Sequence, residues 1–338
     1  MRAGRGLLTA RRAGILLGLS LMGFAAIGPF LTANRPSQQF GEFVYAPPMR
    51  PHILGADGHL RSPFVYPLQL ESRLEHRYTE DRSRSMPLRF FANGSIVSVD
   101  PVSDAPWFPL GADSLGRDQL SRLALGTGLS LGVALSAALG ALAIGALLGG
   151  LAGFVGGTMD DAVMRLADLL MALPALYVVL ALRASMPLVL STPEVFSTMV
   201  IVLALVGWPW PARGVRAVVA AERVREYAEA ARALGASRTR LLLRHLLPAA
   251  RGFLVVQATL LVPAFVLAEA TLSFVGLGFS EPIPSWGAML RDAGHGRAIV
   301  EAPWLLAPAI GIVFAALAVN LSFDESAHAS ATLRTIRR

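Results

Sequence analysis

The side chains that most often carry out chemistry are scarce or scattered in this 338-residue chain. Cysteine is absent, which removes thiol nucleophiles, disulfides and cysteine-ligated zinc. All 30 basic residues are arginine, so there is no lysine for a phosphate-cradling G-x-x-x-x-G-K-[ST] loop and no ATP site of that kind. The histidines (52, 59, 76, 245, 295 and 328) are dispersed, and no H-E-x-x-H exists. His52, His59 and His76 invite a nickel reading, but solvated surface histidines is the simpler one, and the sequence predicts neither a metal site nor a cofactor. A carboxylate stands out: Glu269 ends the uncharged run Gly252–Ala268, about 25 Å along a helix that begins at Gly252. It reads as a gate-holding or structural contact, with Arg117, Arg122 or Arg183 as partner. Asp160, Asp161, Arg165 and Asp168 read as an interfacial salt-bridge network.

The elements that must position these residues are apolar. Hydrophobic residues make up 54% of the chain, charged residues only 16%, and mean hydropathy is +0.54, which points to an integral membrane protein rather than a soluble enzyme. Charge-free runs near the roughly 20 residues that cross a bilayer predict six helices: Ala13–Ala33, about Leu125–Val155, about Ala162–Leu182, Val195–Ala212, Gly252–Ala268 and Ala302–Phe323. The first is longer than a signal-peptide core and reads as an uncleaved anchor. Arg2, Arg5, Arg11 and Arg12 place the N-terminus inside, and six crossings return Arg334, Arg337 and Arg338 to the same side. Arg213–Arg251 then falls inside too, with nine arginines against Glu222, Glu226 and Glu229, while 34–122 falls outside.

Within the outer stretch, Pro63–Leu70 and Leu88–Ala92 read as strands, with Asp57-Gly58 and Asn93-Gly94 as hairpin-type turns; a loosely ordered loop is the alternative. Its mixed charges read as solvated surface, and nucleic acid is not expected as a partner. Inside, Glu222–Pro248 encodes helix, break, helix. Glu226–Leu234 is helix-forming, Gly235 sits where a left-handed C-terminal cap belongs, Ser237 can cap a second helix, and Pro248 limits it. Tyr227, Ala230, Ala231 and Leu234 share one face. By physics alone this is either a docking helix for a protein or an amphipathic helix on anionic lipid.

Glu229-Ala230-Ala231, then Gly235, then Leu247-Pro248, resembles the EAA loop of ABC importer permeases, which in that family docks into the ATPase subunit. Residues 107–322 are similar to the dipeptide/oligopeptide/nickel branch, DppC-like second-subunit type. Leu110 through Asp118 with Leu120-Ser121-Arg122, Gly207-Trp208-Pro209, Leu267 through Ala270 with Leu272-Ser273-Phe274 and Gly276-Leu277-Gly278, Pro284-Ser285-Trp286-Gly287 and Ala302-Pro303-Trp304 carry the likeness. Two departures stand out: Ser114 where an acid is usual, and a Ser/Ala/Thr-rich tail after Asn320-Leu321.

The expectation is an all-α membrane protein with six transmembrane helices, an anchor plus a five-helix core, and an extracytoplasmic segment with β-hairpins. Its divisions are 1–33 (cytoplasmic tail and anchor helix), 34–122 (extracytoplasmic segment and interfacial helix), 123–323 (core, with coupling loop 213–251) and 324–338 (cytoplasmic tail). The resemblance implies a multi-pass inner-membrane permease subunit, moving peptides, or nickel or another small solute, by alternating access and performing no catalysis itself. It implies as partners a homologous permease in a heterodimer, two cytoplasmic ATPase subunits and an extracytoplasmic solute-binding protein, all in membrane lipid. Coupling falls to Glu229, Ala230, Ala231, Gly235, Leu247 and Pro248, and gate or structural ion pairs to Glu269, Arg117, Asp118 and Arg122. An ion-coupled secondary transporter would show more intramembrane carboxylates and internal repeats, and a membrane enzyme a convergent polar site; the chain shows Glu269 and no repeat.

Overall fold

The computed structural model describes the chain apart from residues 1, 33, 56–58, 93, 100–104, 186, 188–189, 295–297 and 336–338. Helices dominate: α1 (Arg2–Ile27), α2 (Gln119–Val155), α3 (Gly157–Ala172), α4 (Ala175–Ala184), α5 (Thr192–Gly207), α6 (Pro209–Glu222), α7 (Glu226–Ala233), α8 (Arg238–Arg240), α9 (Arg251–Val275), α10 (Trp286–Ala293), α11 (Ala298–Glu301) and α12 (Ala307–Thr335). Two compact units are distinguished: residues 1–18, 131–269 and 314–338 form the first, and 19–130 with 270–313 the second.

Among the described residues four helical stretches are long and apolar enough to cross a bilayer, at Ala10–Phe30, Gln119–Val155, Arg238–Val275 and Pro303–Phe323. A fifth arises if α5 and α6, bent by 46° at Trp208, count as one. The sequence predicts six. The difference lies at 162–182, where Pro174 breaks the run: Leu173 before it is extended (φ −83°, ψ 137°), and α3 and α4 stay at 16 and 10 residues. The single span predicted at Val195–Ala212 also divides, because Pro209 and Pro211 each remove a backbone donor.

In the first unit α2 packs through its glycines. A Cβ on Gly145 would meet the Ala212 nitrogen at 2.9 Å, one on Gly149 the Ala212 carbonyl oxygen at 2.1 Å, and one on Gly153 the Arg216 carbonyl oxygen at 2.5 Å. Backbones this close leave no room for side chains, which is the small-residue mode of helix association in lipid. A second core gathers Val215, Val219, Ala228, Leu241, Leu242, Leu246 and Ala250.

In the second unit the chain between α1 and α2 forms two antiparallel sheets. One has order β1-β2-β5-β6, from His52–Leu54, Leu60–Val65, Met86–Ala92 and Ser95–Val99; the other pairs β3 (Leu68–Ser72) with β4 (Arg77–Glu80). Alternation decides the inward face: Met86 and Leu88 are buried while Pro87 and Arg89 are exposed. They join Ala46, Met49, Val65, Trp107, Phe108 and Ala112 in one core, with Phe40, Phe43 and Tyr78 against it. The Tyr78 hydroxyl donates to the Val44 carbonyl at 2.7 Å, tying the small sheet to the incoming chain. The turn residues Asp57, Gly58 and Asn93 lie outside the described residues; Gly94 has φ +75°.

The glycine contacts generate a prediction. Gly149→Ala overpacks α2 against α6 and costs about 1–3 kcal/mol, lowering the apparent unfolding temperature in detergent by roughly 5 °C. Gly252→Ala has nothing within 4 Å of the new Cβ and unfolds like the parent. Equal unfolding temperatures for both variants would refute the close α2–α6 packing.

Candidate functional site

Two clusters hold the residues singled out from sequence, one in each unit. In the first, α7 is a two-turn helix with a fully defined end. Gly235 adopts φ +81°, its N–H donates to the Arg232 carbonyl at 2.9 Å, and the Ala236 N–H donates to the Ala231 carbonyl at 3.0 Å. This is the paired bonding of a Schellman cap, and only glycine enters that backbone region without penalty. Ser237 then starts α8 by accepting the Arg240 N–H at 3.3 Å. Beyond α8, residues Leu241–Leu246 form a π-helical turn: the Leu247 N–H reaches back five residues to the Leu242 carbonyl. Pro248 has no N–H to offer Arg244, so the α-ladder cannot pass through it, and a short 3₁₀ turn (Leu247–Ala250) leads into α9.

α7 sits on a buried base. Ala228 is fully buried against Val215, Val219, Leu241, Leu242 and Leu246, and Ala231 and Leu247 pack partly into the same cluster. Glu229, Ala230, Tyr227, Leu234 and Gly235 are exposed. The predicted outward face is therefore narrower by one residue: Ala231 turns toward the chain's own core, because α7 must bury one edge to be held at all. The Tyr227 hydroxyl donates to Glu222 at 2.9 Å, and Arg232 donates to the Arg223 carbonyl at 3.0 Å, both on the approach to α7.

α6 carries this support further. Arg223 donates to the Gly153 and Phe154 carbonyls at 3.2 and 3.1 Å, closing the C-terminal end of α2. Arg216 grips Asp160 with two nitrogens, and Arg213 pairs with Asp168. Of the predicted network residues Asp160, Asp161, Arg165 and Asp168, the first and the last pair with arginines of α6 rather than with Arg165.

In the second unit, residues 111–118 make a hook before α2. Gly116 has φ +71°, and a Cβ there would strike the Phe40 carbonyl oxygen at 2.0 Å. Asp113 Oδ1 accepts the Leu115 and Arg117 N–H groups at 2.9 Å each. Asp113 Oδ2 accepts from Arg117 Nε at 2.7 Å and lies 3.2 Å from Arg122 Nε. Arg117 also reaches Glu281, and Asp292 at 3.2 Å; Arg122 reaches Glu281 at 3.0 Å. Arg117 and Arg122 are 1% and 0% exposed. Burial pushes the Glu281 carboxyl up, but the two guanidiniums outweigh it and hold it below its ordinary value. Burial, with Glu281 and Asp113 nearby, pushes Asp292 up. Asp118 serves differently: it accepts from Thr32 at 2.9 Å and from the Leu120 N–H at 3.1 Å, and burial pushes its carboxyl up to about 6.

The other motif residues of this unit are structural. Trp286, fully buried, donates its backbone N–H to Ser130 at 3.1 Å and its ring N–H to Thr127 at 3.2 Å. A Cβ on Gly287 would lie 2.0 Å from the Ala270 carbonyl oxygen, and the Trp304 ring N–H donates to the Ala112 carbonyl at 2.9 Å. Glu269 belongs to the first unit, fully buried in α9, whereas Arg117 and Arg122 pair with Asp113, Glu281 and Asp292 of the second. Sequence reasoning missed Glu281 and Asp292. Elimination could have found them, since they are the only acids between 270 and 300 and two arginines at the mouth of an apolar run need carboxylates.

Residues 145–330 match the family described as binding-protein-dependent transport system inner membrane component. The oligopeptide transport system permease protein OppC of Bacillus subtilis is 37% identical over 217 residues, 64% of this chain and 68% of that protein. The di/tripeptide transport system permease protein DppC of Pseudomonas aeruginosa is 41% identical over 64% of this chain and 69% of that one. The OppC protein of Haemophilus influenzae is 32% identical over 70% and 85% respectively.

Arg117→Met leaves buried carboxylates uncompensated and destabilises the protein by about 3–5 kcal/mol. Glu281→Gln, at a side chain 43% exposed, costs about 1 kcal/mol. Thermal unfolding of the purified variants measures both; an Arg117→Met protein as stable as Glu281→Gln would show that the cluster does not hold the hook.

Proposed function

This chain belongs to the family of binding-protein-dependent transport system inner membrane components, and from that premise we propose that it is the membrane-spanning permease subunit of an ATP-driven peptide importer. Relatives named as oligopeptide and di/tripeptide permeases support the substrate class. ATP hydrolysis falls to separate chains, consistent with a sequence that has no lysine for a phosphate loop. The assembly we infer is a heterodimer with a homologous permease, two ATPase subunits on the cytoplasmic side and a solute-binding protein outside.

The observation that carries the mechanism is the exposed, Schellman-capped α7 seated on a buried base. A partner pressing on Glu229, Ala230 and Tyr227 pushes on a helix whose own end cannot fray. The push passes into α6 through the packed Ala228 and the Tyr227 and Arg232 hydrogen bonds. From α6 it reaches α2 through Arg223 and α3 through Arg216 and Arg213. ATP binding and hydrolysis thereby become different contacts in two states, which is what coupling requires. Leu247 and Pro248 belong to the same device as the residues that fix the turn into α9. Arg117, Asp118 and Arg122 serve in this reading as structural ion pairs and caps of the second unit, and Glu269 as a buried carboxylate of the first.

Both termini and α7 lie on the cytoplasmic side in this reading, and the β-sheets outside. The sixth crossing that topology requires is supplied by α3 and α4 together. A single cysteine at Leu74, which is 95% exposed, then reacts with an impermeant thiol reagent in intact cells, and one at Ser237 does not; the reverse labelling overturns the topology. For coupling, Gly235→Val strains the cap by more than about 1 kcal/mol, and Ala230→Trp enlarges the exposed face. Each should leave the permease in the membrane and paired, while lowering ATPase activity stimulated by loaded binding protein about tenfold or more. Full stimulation and normal ATPase co-purification in both would remove α7 as the coupling element.

A further inference from the structure

α3 is bounded by a break at each end. Before it, Gly156 takes φ +75°, ψ −169° and Gly157 takes φ +61°, so α2 stops at Val155 and the chain turns. After it, Leu173 is extended ahead of Pro174. A 16-residue helix with a non-helical joint at both ends is able to move as one body, because the change in φ and ψ is confined to a few residues. Glycine passes between right- and left-handed backbone at the least cost. A Cβ added at Gly157 would meet nothing within 4 Å, so the left-handed backbone alone calls for glycine there.

One side chain holds the first joint. The Gly156 N–H still donates to the Ala152 carbonyl at 2.9 Å. The turn then carries off the N–H groups of Gly157 and Thr158, which a continuing α-helix would give to the Gly153 and Phe154 carbonyls. Arg223, the C-cap of α6, supplies the missing donors at 3.2 and 3.1 Å, and its Nη1 lies 3.1 Å from where a Gly156 Cβ would be. The Arg223 carbonyl accepts from Arg232 of α7 at 3.0 Å. Arg223 thus touches the joint with its side chain and α7 with its backbone. On the same stripe of α6, Arg213 and Arg216 hold α3 at Asp168 and Asp160, toward its two ends.

We propose that Gly156–Gly157 is the hinge on which α3 swings against α2, and that Arg223 is the positioning residue that latches this hinge and passes the displacement of α7 to it. The proposal rests on the reading of α7 as the surface an ATPase subunit presses, and adds which element moves and where it bends. A shift of α7 pulls the Arg223 backbone through Arg232, draws the guanidinium off the two carbonyls and frees the turn. Arg213 and Arg216 then carry α3 along with α6.

The chain has no native cysteine, so nitroxide pairs report the hinge in the full complex, with partner permease and ATPase subunits, in nanodiscs of phosphatidylethanolamine and phosphatidylglycerol. One pair spans the hinge, Leu139→Cys on α2 with Leu166→Cys on α3, at side chains 69% and 50% exposed. The control pair, Leu139→Cys with Leu151→Cys, lies wholly on α2. Between the nucleotide-free complex and one held with a non-hydrolysable ATP analogue, the spanning distance should shift by several ångströms while the control stays fixed. In Arg223→Met the spanning distance should become broad and the same in both states. Arg223→Lys, which keeps donors for the two carbonyls, should recover part of the shift. Gly157→Ala disfavours only the left-handed backbone, so it should move the populations several-fold away from the distance this turn gives. A fixed spanning distance in a parent complex whose ATPase responds to loaded binding protein overturns the hinge and leaves the importer reading standing. A full, sharp shift in Arg223→Met overturns the latch. A parent complex whose ATPase subunits neither co-purify nor respond overturns the importer reading, and the hinge with it.

Discussion

A helix that stops near a membrane leaves carbonyls and N–H groups that lipid cannot satisfy, and much of this structure is the set of local answers to that constraint. Arg223 closes the end of α2, and Arg291 closes the end of α9 by donating to the Phe274 carbonyl at 2.8 Å. Asp118 supplies the acceptor that starts α2, and Ser285 the one that starts α10. Gly235 and Ala236 return N–H groups to α7. Arginine closes the orphaned carbonyls of α2 and α9, and a carboxylate or hydroxyl closes the orphaned N–H groups of α2 and α10. The motifs that looked like signatures in the sequence are largely these closures.

The same accounting changes how the arginines are read. Their asymmetry along the sequence reports orientation, yet Arg213, Arg216 and Arg223 are not simply charges facing a cytoplasm. They are the ties between α6 and its neighbours in the first unit. In the second unit Arg117 and Arg122 are so fully enclosed that three carboxylates gather on two guanidiniums. Such a cluster holds a loop in place more than it adds net stability, since desolvation consumes much of the Coulomb attraction.

What could be read in advance was whatever depended on local chemistry. The spans near Ala13–Ala33 and Ala302–Phe323, the break at Gly235 and the cap at Ser237 follow from uncharged length, absence of a Cβ and a short hydroxyl side chain. The breaks at Pro174 and at Pro209 show in the sequence as prolines, but whether a proline kinks a span or ends it depends on the helices around it. The partners Glu281 and Asp292 lie more than 150 residues from Arg117 along the chain, so only the fold brings them together. The inward turn of Ala231 was illegible for a similar reason: on a two-turn helix the face that is covered is set by α6 and the π-helical turn, not by α7's own pattern.

Over Leu241–Leu246 the backbone hydrogen bonds span five residues, one more than in an α-helix, ahead of the 3₁₀ turn that leads into α9. Converting the turn to α geometry would advance the helical register by one residue, which corresponds to about 100° of rotation at 3.6 residues per turn. With α7 held at one end and α9 beginning just beyond Pro248, a small displacement at this point would be geared into a twist of a long membrane helix about its own axis.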